Sequence, residues 1–130
     1  MKKHNKITII EDDYSLLQMY ILKFEVSGFT VSCAENGRYG LEVIEEERPD
    51  IILLDLMMPD MTGDQMLREL YKQPWGRKIP VIIMSNVARD DAMKLLKGIQ
   101  VSDYIVKANT TPKIVVEKVY SALKTVSAPV

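Results

Sequence analysis

The sequence predicts a doubly wound α/β domain, and three observations carry that expectation. Short runs rich in Ile and Val recur along the chain, each followed by a longer amphipathic segment. The runs are continuous rather than alternating polar with apolar, which suits parallel strands covered on both faces. Cap and turn residues separate the two kinds of segment, and right-handed crossovers then place helices on both faces of one parallel sheet.

The first strand is expected at Ile7 to Ile10. A helix from Tyr14 to Ser27 follows, because Leu16, Leu17, Tyr20, Ile21 and Phe24 recur at helical spacing and Gly28 supplies the stop. Thr30 to Ala34 forms the second strand, after which Asn36 caps a helix carrying Leu41, Val43 and Ile44 that ends before Pro49. Ile51 to Leu54 is the third strand; Thr62 caps the third helix, with Met66, Leu67 and Leu70, and Gln73 to Lys78 reads as the loop after it. Val81 to Met84 is the fourth strand, and a helix from Ala88 to Leu96 stops near Gly98. Asp103 to Val106 is the fifth. The last helix starts after Thr110 or Thr111, takes Pro112 in its first turn, and carries Val115 or Val116, Val119, Leu123 and Val126.

A chain of 130 residues suits one domain, here 1–130 with a core of about 6–126 and short tails at both ends. With 47% hydrophobic and 27% charged residues it reads as globular. Lys and Arg total 17 against 18 Asp and Glu, so no net field draws it to DNA or to an anionic membrane. The single cysteine, Cys33, suits a reducing compartment. The basic start "MKKHNK" leads only to "ITII", too short for a secretory h-region, and no apolar stretch approaches the roughly 18 residues of a spanning helix. A cytoplasmic protein is expected.

In such sheets the functional crevice lies beyond the carboxyl ends of the strands. The first strand ends on Glu11, Asp12 and Asp13, the third on Asp55, the fourth on Ser85 and Asn86, and the fifth on Lys107. Singly, Asp12 or Asp13 reads as a helix cap, Asp55 as a turn residue, Ser85 as a strand-end hydroxyl and Lys107 as a solvated charge. Together, on one rim, they read as a site. Converging carboxylates repel unless a cation sits among them, and hard oxygen ligands favour Mg²⁺ or Mn²⁺. A lysine and a hydroxyl facing the same point can hold phosphoryl oxygens, and a carboxylate can act as nucleophile to form an acyl phosphate.

The motifs "IIEDD", "IILLDLMMPDMTG", "VIIMS" and "YIVKA", in that order, span the chain from about Lys6 to about Lys124. At these residues the sequence resembles the receiver domain of two-component response regulators, the CheY-like family. The resemblance implies a flavodoxin-like three-layer sandwich whose five-stranded sheet has the order 2-1-3-4-5. It implies that Asp55 is phosphorylated from a phosphohistidine on a sensor histidine kinase or phosphotransfer protein. Three acids stand where the family needs two. Aligned back from Gly28 the pair falls on Glu11 and Asp12, with Asp12 contacting the metal directly and Glu11 through water, and Asp13 left as a helix cap or lesser contributor. Asp55 and the backbone carbonyl of Met57 complete the implied metal set. Ser85 matches the switch hydroxyl, Lys107 the lysine that pairs with the phosphoryl group, and Tyr104 the aromatic whose rotamer follows the switch.

Two departures from the family pattern stand out. Receivers commonly follow the lysine with proline, often through a cis peptide, whereas Lys107 precedes Ala108, and a cis bond without proline costs ~2.5 to 4 kcal/mol. The residue after the switch hydroxyl is usually small, but here it is Asn86, which either narrows access to the phosphoryl group or hydrogen-bonds to it.

The only histidine, His4, lies ahead of the first strand, so the phosphoryl group must come from another protein or a small phosphodonor. The implied chemistry is self-catalysed, Mg-dependent aspartyl phosphorylation with slow dephosphorylation, read by a downstream protein through the fourth helix, fifth strand and fifth helix. The chain is expected to be a monomer or a weak phosphorylation-linked dimer, and a stand-alone receiver is favoured over an excised one. Three other readings compete. A phosphorylation-independent binding module is opposed by the full set of acids, hydroxyl and lysine. A haloacid dehalogenase-type phosphatase needs an aspartate where Met57 stands. A flavodoxin-like cofactor binder would place its phosphate against "EDDYS".

Overall fold

Why the chain folds as it does is clearest at β3, whose side chains alternate between two cores. The computed structural model describes residues 5–127, with side chains to residue 125; His4 and the side chain of Val126 lie outside the described residues. The elements are β1 (Lys6–Ile10), α1 (Tyr14–Val26), β2 (Thr30–Ala34), α2 (Gly37–Glu47), β3 (Ile51–Leu54), α3 (Gly63–Leu70), β4 (Val81–Ser85), α4 (Arg89–Leu95), β5 (Asp103–Val106) and α5 (Pro112–Ser127). Strand and helix bounds fall within a residue or two of the sequence expectation. The segment after α3 is not plain loop, since Gly76–Lys78 forms a 3₁₀ turn.

All strand pairs are parallel and the order is β2-β1-β3-β4-β5. Ile51 and Leu53 of β3 face the core made with Leu17, Tyr20 and Phe24 of α1 and Val115, Val119 and Leu123 of α5. Ile52 and Leu54 face the opposite core, with Ile44 of α2, Met66, Leu67 and Leu70 of α3, and Ala92 of α4. A strand covered on both faces must be apolar at every position, and this accounts for the unbroken "IILL". β2 departs from that expectation. As an edge strand paired only with β1, it keeps Thr30 exposed and Val31, Ser32 and Cys33 half-buried. The Ser32 hydroxyl meets that of Thr8 at 2.7 Å.

The caps anticipated from sequence are formed. Asn36 Oδ1 accepts the Tyr39 N–H at 2.8 Å, and at Thr62 a capping box forms in which the Thr62 N–H donates to Gln65 Oε1 at 3.0 Å. At the start of α5, Thr111 Oγ1 adds a bond not anticipated, accepting the Ile114 N–H at 3.3 Å. α1 ends at Gly28, whose φ of 96° suits a residue without a Cβ. α2 ends instead on Arg48 in the left-handed region, with its guanidinium 3.5 Å from the centroid of the Trp75 ring. Among the described residues no helix is long and apolar enough to cross a membrane.

Candidate functional site

The strand order reverses between β1 and β3, and the carboxyl ends of those strands carry Glu11 and Asp55. Ile10 stands in register with Leu54, so the next residue of each strand emerges side by side. The ladder continues one bond past the strands: the Asp55 N–H donates to the Ile10 carbonyl at 2.9 Å and the Glu11 N–H to the Ala34 carbonyl at 3.1 Å. Both carboxylates are thus fixed at their backbones. With Asp12 they present oxygens that all lie within 4.8 Å of one another. Glu11 is 2% and Asp55 5% exposed, while Asp12 faces solvent.

Lys107, immediately after β5, reaches into this group with a side chain only 17% exposed. Its Nζ lies 2.7 Å from Glu11 Oε1 and 3.3 Å from Asp55 Oδ2. Burial alone would lower the ammonium pKa, but Glu11 and Asp55 outweigh it and raise it. One cation does not balance the acids. Burial and the Glu11 charge push the Asp55 carboxyl from its ordinary 3.8 up to about 7, against the pull of Lys107. Glu11 Oε2 accepts the Asp13 N–H at 3.0 Å, and Oε1, buried, lies 2.7 Å from the Lys107 ammonium. Three carboxylates against a single ammonium, a carboxyl driven toward neutrality and an all-oxygen donor set fit a small hard divalent cation. Glu11, Asp12 and Asp55 could hold it.

The loop after β3 is built to keep Asp55 in place. The Met57 N–H donates to Asp55 Oδ1 at 3.3 Å. Leu56 and Met58 turn into the core, whereas Met57 is 49% exposed. The chain turns back through Asp60, at φ 68°, and the Gly63 N–H donates to the Leu56 carbonyl at 2.7 Å. A Cβ on Gly63 would stand 2.8 Å from the Asp55 carbonyl oxygen and 2.9 Å from Leu56 Cα, so only glycine lets α3 start this close to the site.

The structure places the other anticipated residues as follows. Asp13 is the N-cap of α1, accepting the Leu16 N–H at 3.1 Å. Ser85 is the buried last residue of β4, and its Oγ accepts the Val87 N–H at 3.3 Å. The buried Tyr104 donates its hydroxyl to the Val87 carbonyl, and Arg89 stands 5.9 Å from its ring centroid. Asn86 is exposed, and its Oδ1 accepts the Ala108 N–H at 3.0 Å. Among the described residues no peptide bond is cis, so Lys107–Ala108 is trans. The sequence reading did not anticipate Val87, Arg89 or the Ala108 N–H as partners here. Backbone groups leave no signal in residue identity, and the only hint at Ala108 was that it is not proline.

Comparison with known proteins agrees with this arrangement. The family model of the response regulator receiver domain matches residues 7–119. The chain is 33% identical over 103 residues to the regulatory protein AtoC of Escherichia coli (strain K12), covering 79% of this chain and 22% of that protein. It is 38% identical over 104 residues to the protein-glutamate methylesterase/protein-glutamine glutaminase of Treponema denticola, covering 76% of this chain and 27% of that one. It therefore spans about a quarter of the length of these two relatives. A CheY-like response regulator receiver domain protein from Methanospirillum hungatei JF-1 superposes with a TM-score of 0.86 at 26% identity, over 95% of this chain and 97% of that one. The chain belongs to the response regulator receiver domain family.

Proposed function

We propose that this chain is a single cytoplasmic receiver domain that accepts a phosphoryl group on Asp55 and signals the event to a protein partner. The donor is a phosphohistidine of a sensor histidine kinase or phosphotransfer protein, and the reaction depends on Mg²⁺. The observation that carries the reading is the setting of Asp55. It is a buried carboxylate at the strand-order reversal, with Lys107 Nζ at 3.3 Å and its backbone tied to β1.

One Asp55 oxygen forms the new bond to phosphorus while the bond from phosphorus to the donor imidazole nitrogen breaks in line. The imidazole keeps the electron pair and is protonated from solvent. Lys107 offsets negative charge on the transferring oxygens. Glu11, Asp12, Asp55 and the Met57 carbonyl would hold Mg²⁺, or Mn²⁺ by the same oxygen chemistry. When bound, the ion supplies positive charge that keeps Asp55 ionised and neutralises the phosphoryl group. Met57 brings neither acid nor base to the site, so water there is not activated by it and the acyl phosphate persists.

Ser85 and Tyr104 both end on Val87, one on its N–H and the other on its carbonyl. When the Ser85 hydroxyl turns to donate to the phosphoryl group, Val87 loses one of these ties and the turn holding Tyr104 loosens. That turn leads directly into α4, where Met93 and Leu95 are exposed apolar groups. A local charge thus biases the surface of α4, β5 and α5 between two arrangements.

Incubation with acetyl phosphate and Mg²⁺, followed by intact mass, tests the reading. A single phosphate adduct is expected, absent in Asp55→Asn and in chelator. An adduct that survives Asp55→Asn would sink it.

A further inference from the structure

The phosphoryl-binding groups Ser85 and Lys107 sit at the ends of neighbouring strands, and the turns that follow them are joined across the mouth of the site by the Asn86 side chain. Ser85 and Val106 are the last registered pair of β4 and β5. Beyond that pair the chains diverge, one into α4 and the other through the 3₁₀ turn Lys107–Asn109 into α5. At β1 and β3 the backbone ladder runs one bond further and pins both carboxylates. At β4 and β5 it does not. Among the described residues no backbone hydrogen bond joins residues 86–88 to residues 107–110. The link is made instead by Asn86 Oδ1, which accepts the Ala108 N–H at 3.0 Å.

We propose that Asn86 is a positioning residue, its bond to Ala108 acting as a latch that holds the Ser85 turn and the Lys107 turn in fixed relation across the mouth of the site. The inference rests on Asp55 as phosphoryl acceptor. Ser85 and Lys107 must meet oxygens of one small group, and donors held in place before the reaction need no reorganisation during it. The bond is possible because residue 108 keeps an N–H, as proline could not, and because residue 86 carries an acceptor long enough to reach it. The two departures noted in the sequence thus meet in one contact. Asn86 already has a partner in the wall of the site, and its carbonyl oxygen does not serve the phosphoryl group.

The test compares wild type, Asn86→Ala, Ala108→Pro and the double variant in adduct formation from phosphoramidate and from the larger acetyl phosphate. With the latch gone the two turns must be ordered during the reaction, and at the scale of one neutral hydrogen bond this should slow Asn86→Ala roughly three- to tenfold, by the same factor for both donors. Ala108→Pro removes the same bond from the other side, so the double variant should be no slower than either single one. Hydrogen exchange at the Ala108 amide supplies a readout independent of phosphorylation. Exchange should accelerate in Asn86→Ala and stay slow in Asn86→Asp, which keeps an acceptor. Unchanged exchange in Asn86→Ala overturns the latch. Accelerated exchange with unchanged phosphorylation overturns the positioning role. Faster phosphorylation of Asn86→Ala, greater for acetyl phosphate, overturns it in favour of an access gate. A wild type that forms no adduct removes the Asp55 reading and the positioning role with it, and the exchange of the Ala108 amide then decides the latch alone.

Discussion

Replacing Asp55 by Asn should stabilise the fold, and the gain should grow with pH. Burial and Glu11 raise the folded-state pKa of Asp55 from 3.8 to about 7. The folded protein therefore holds a proton that the unfolded chain has released, and the associated stability, full below 3.8, is lost as pH rises through about 7. At about 1.4 kcal/mol per pKa unit the carboxylate costs about 4 kcal/mol at pH 8 and about 2 kcal/mol at pH 5. Asn keeps the shape and carries no charge. Lys107 loses one partner but retains Glu11 at 2.7 Å, so no lone ammonium is left behind. Urea unfolding in chelator should show Asp55→Asn more stable than wild type by about 2 kcal/mol at about pH 5, widening to about 4 kcal/mol at about pH 8. Mg²⁺ at about pH 8 should stabilise wild type and narrow the gap. A gap that does not change with pH, or a variant less stable at the higher pH, refutes the reasoning.

Three further substitutions probe separate parts of the site. Lys107→Ala should slow adduct formation about a hundredfold while Mg²⁺ binding by calorimetry is retained; equal rates would make Lys107 a structural partner of Glu11 alone. Gly63→Ala forces a Cβ against the Asp55 carbonyl and should cost about 1–3 kcal/mol in urea unfolding while displacing the acceptor. A stable variant with a normal phosphorylation rate would show that the β3–α3 loop is free to move. Met57→Asp introduces a carboxylate that can orient water, and the half-life of the adduct, followed by intact mass, should fall. An unchanged half-life would mean that Met57 has no part in holding the signal.

Much of this architecture is legible in the sequence because it depends on local rules. "IILL" reads as a strand covered on both faces, Asn36 and Thr62 read as caps, and Gly28 reads as a stop, each from its immediate neighbours. That Glu11, Asp12, Asp55, Ser85 and Lys107 share one rim also follows, since every one of them ends a strand of a parallel sheet. What sequence cannot give is the pairing of side chains across strands. Lys107 lies closer to Glu11 than to Asp55, a choice made by the span across β4 and β3. Asn86 turns to Ala108, and Tyr104 to the Val87 carbonyl, through contacts between segments 22 and 17 residues apart. The edge strand β2 was legible as a strand but not as half-exposed, because its neighbours depend on topology rather than on its own residues.

The central claim is that the Asp55 carboxylate becomes an acyl phosphate, and its position can be read chemically. The protein would be treated with acetyl phosphate and Mg²⁺, reduced with borohydride, which converts an acyl phosphate to the alcohol, and mapped by peptide mass spectrometry. The account predicts homoserine at position 55, with Glu11 and Asp12 unmodified. Reduction at Glu11 or Asp12, or a phosphate that resists borohydride and maps to Ser85, would contradict it.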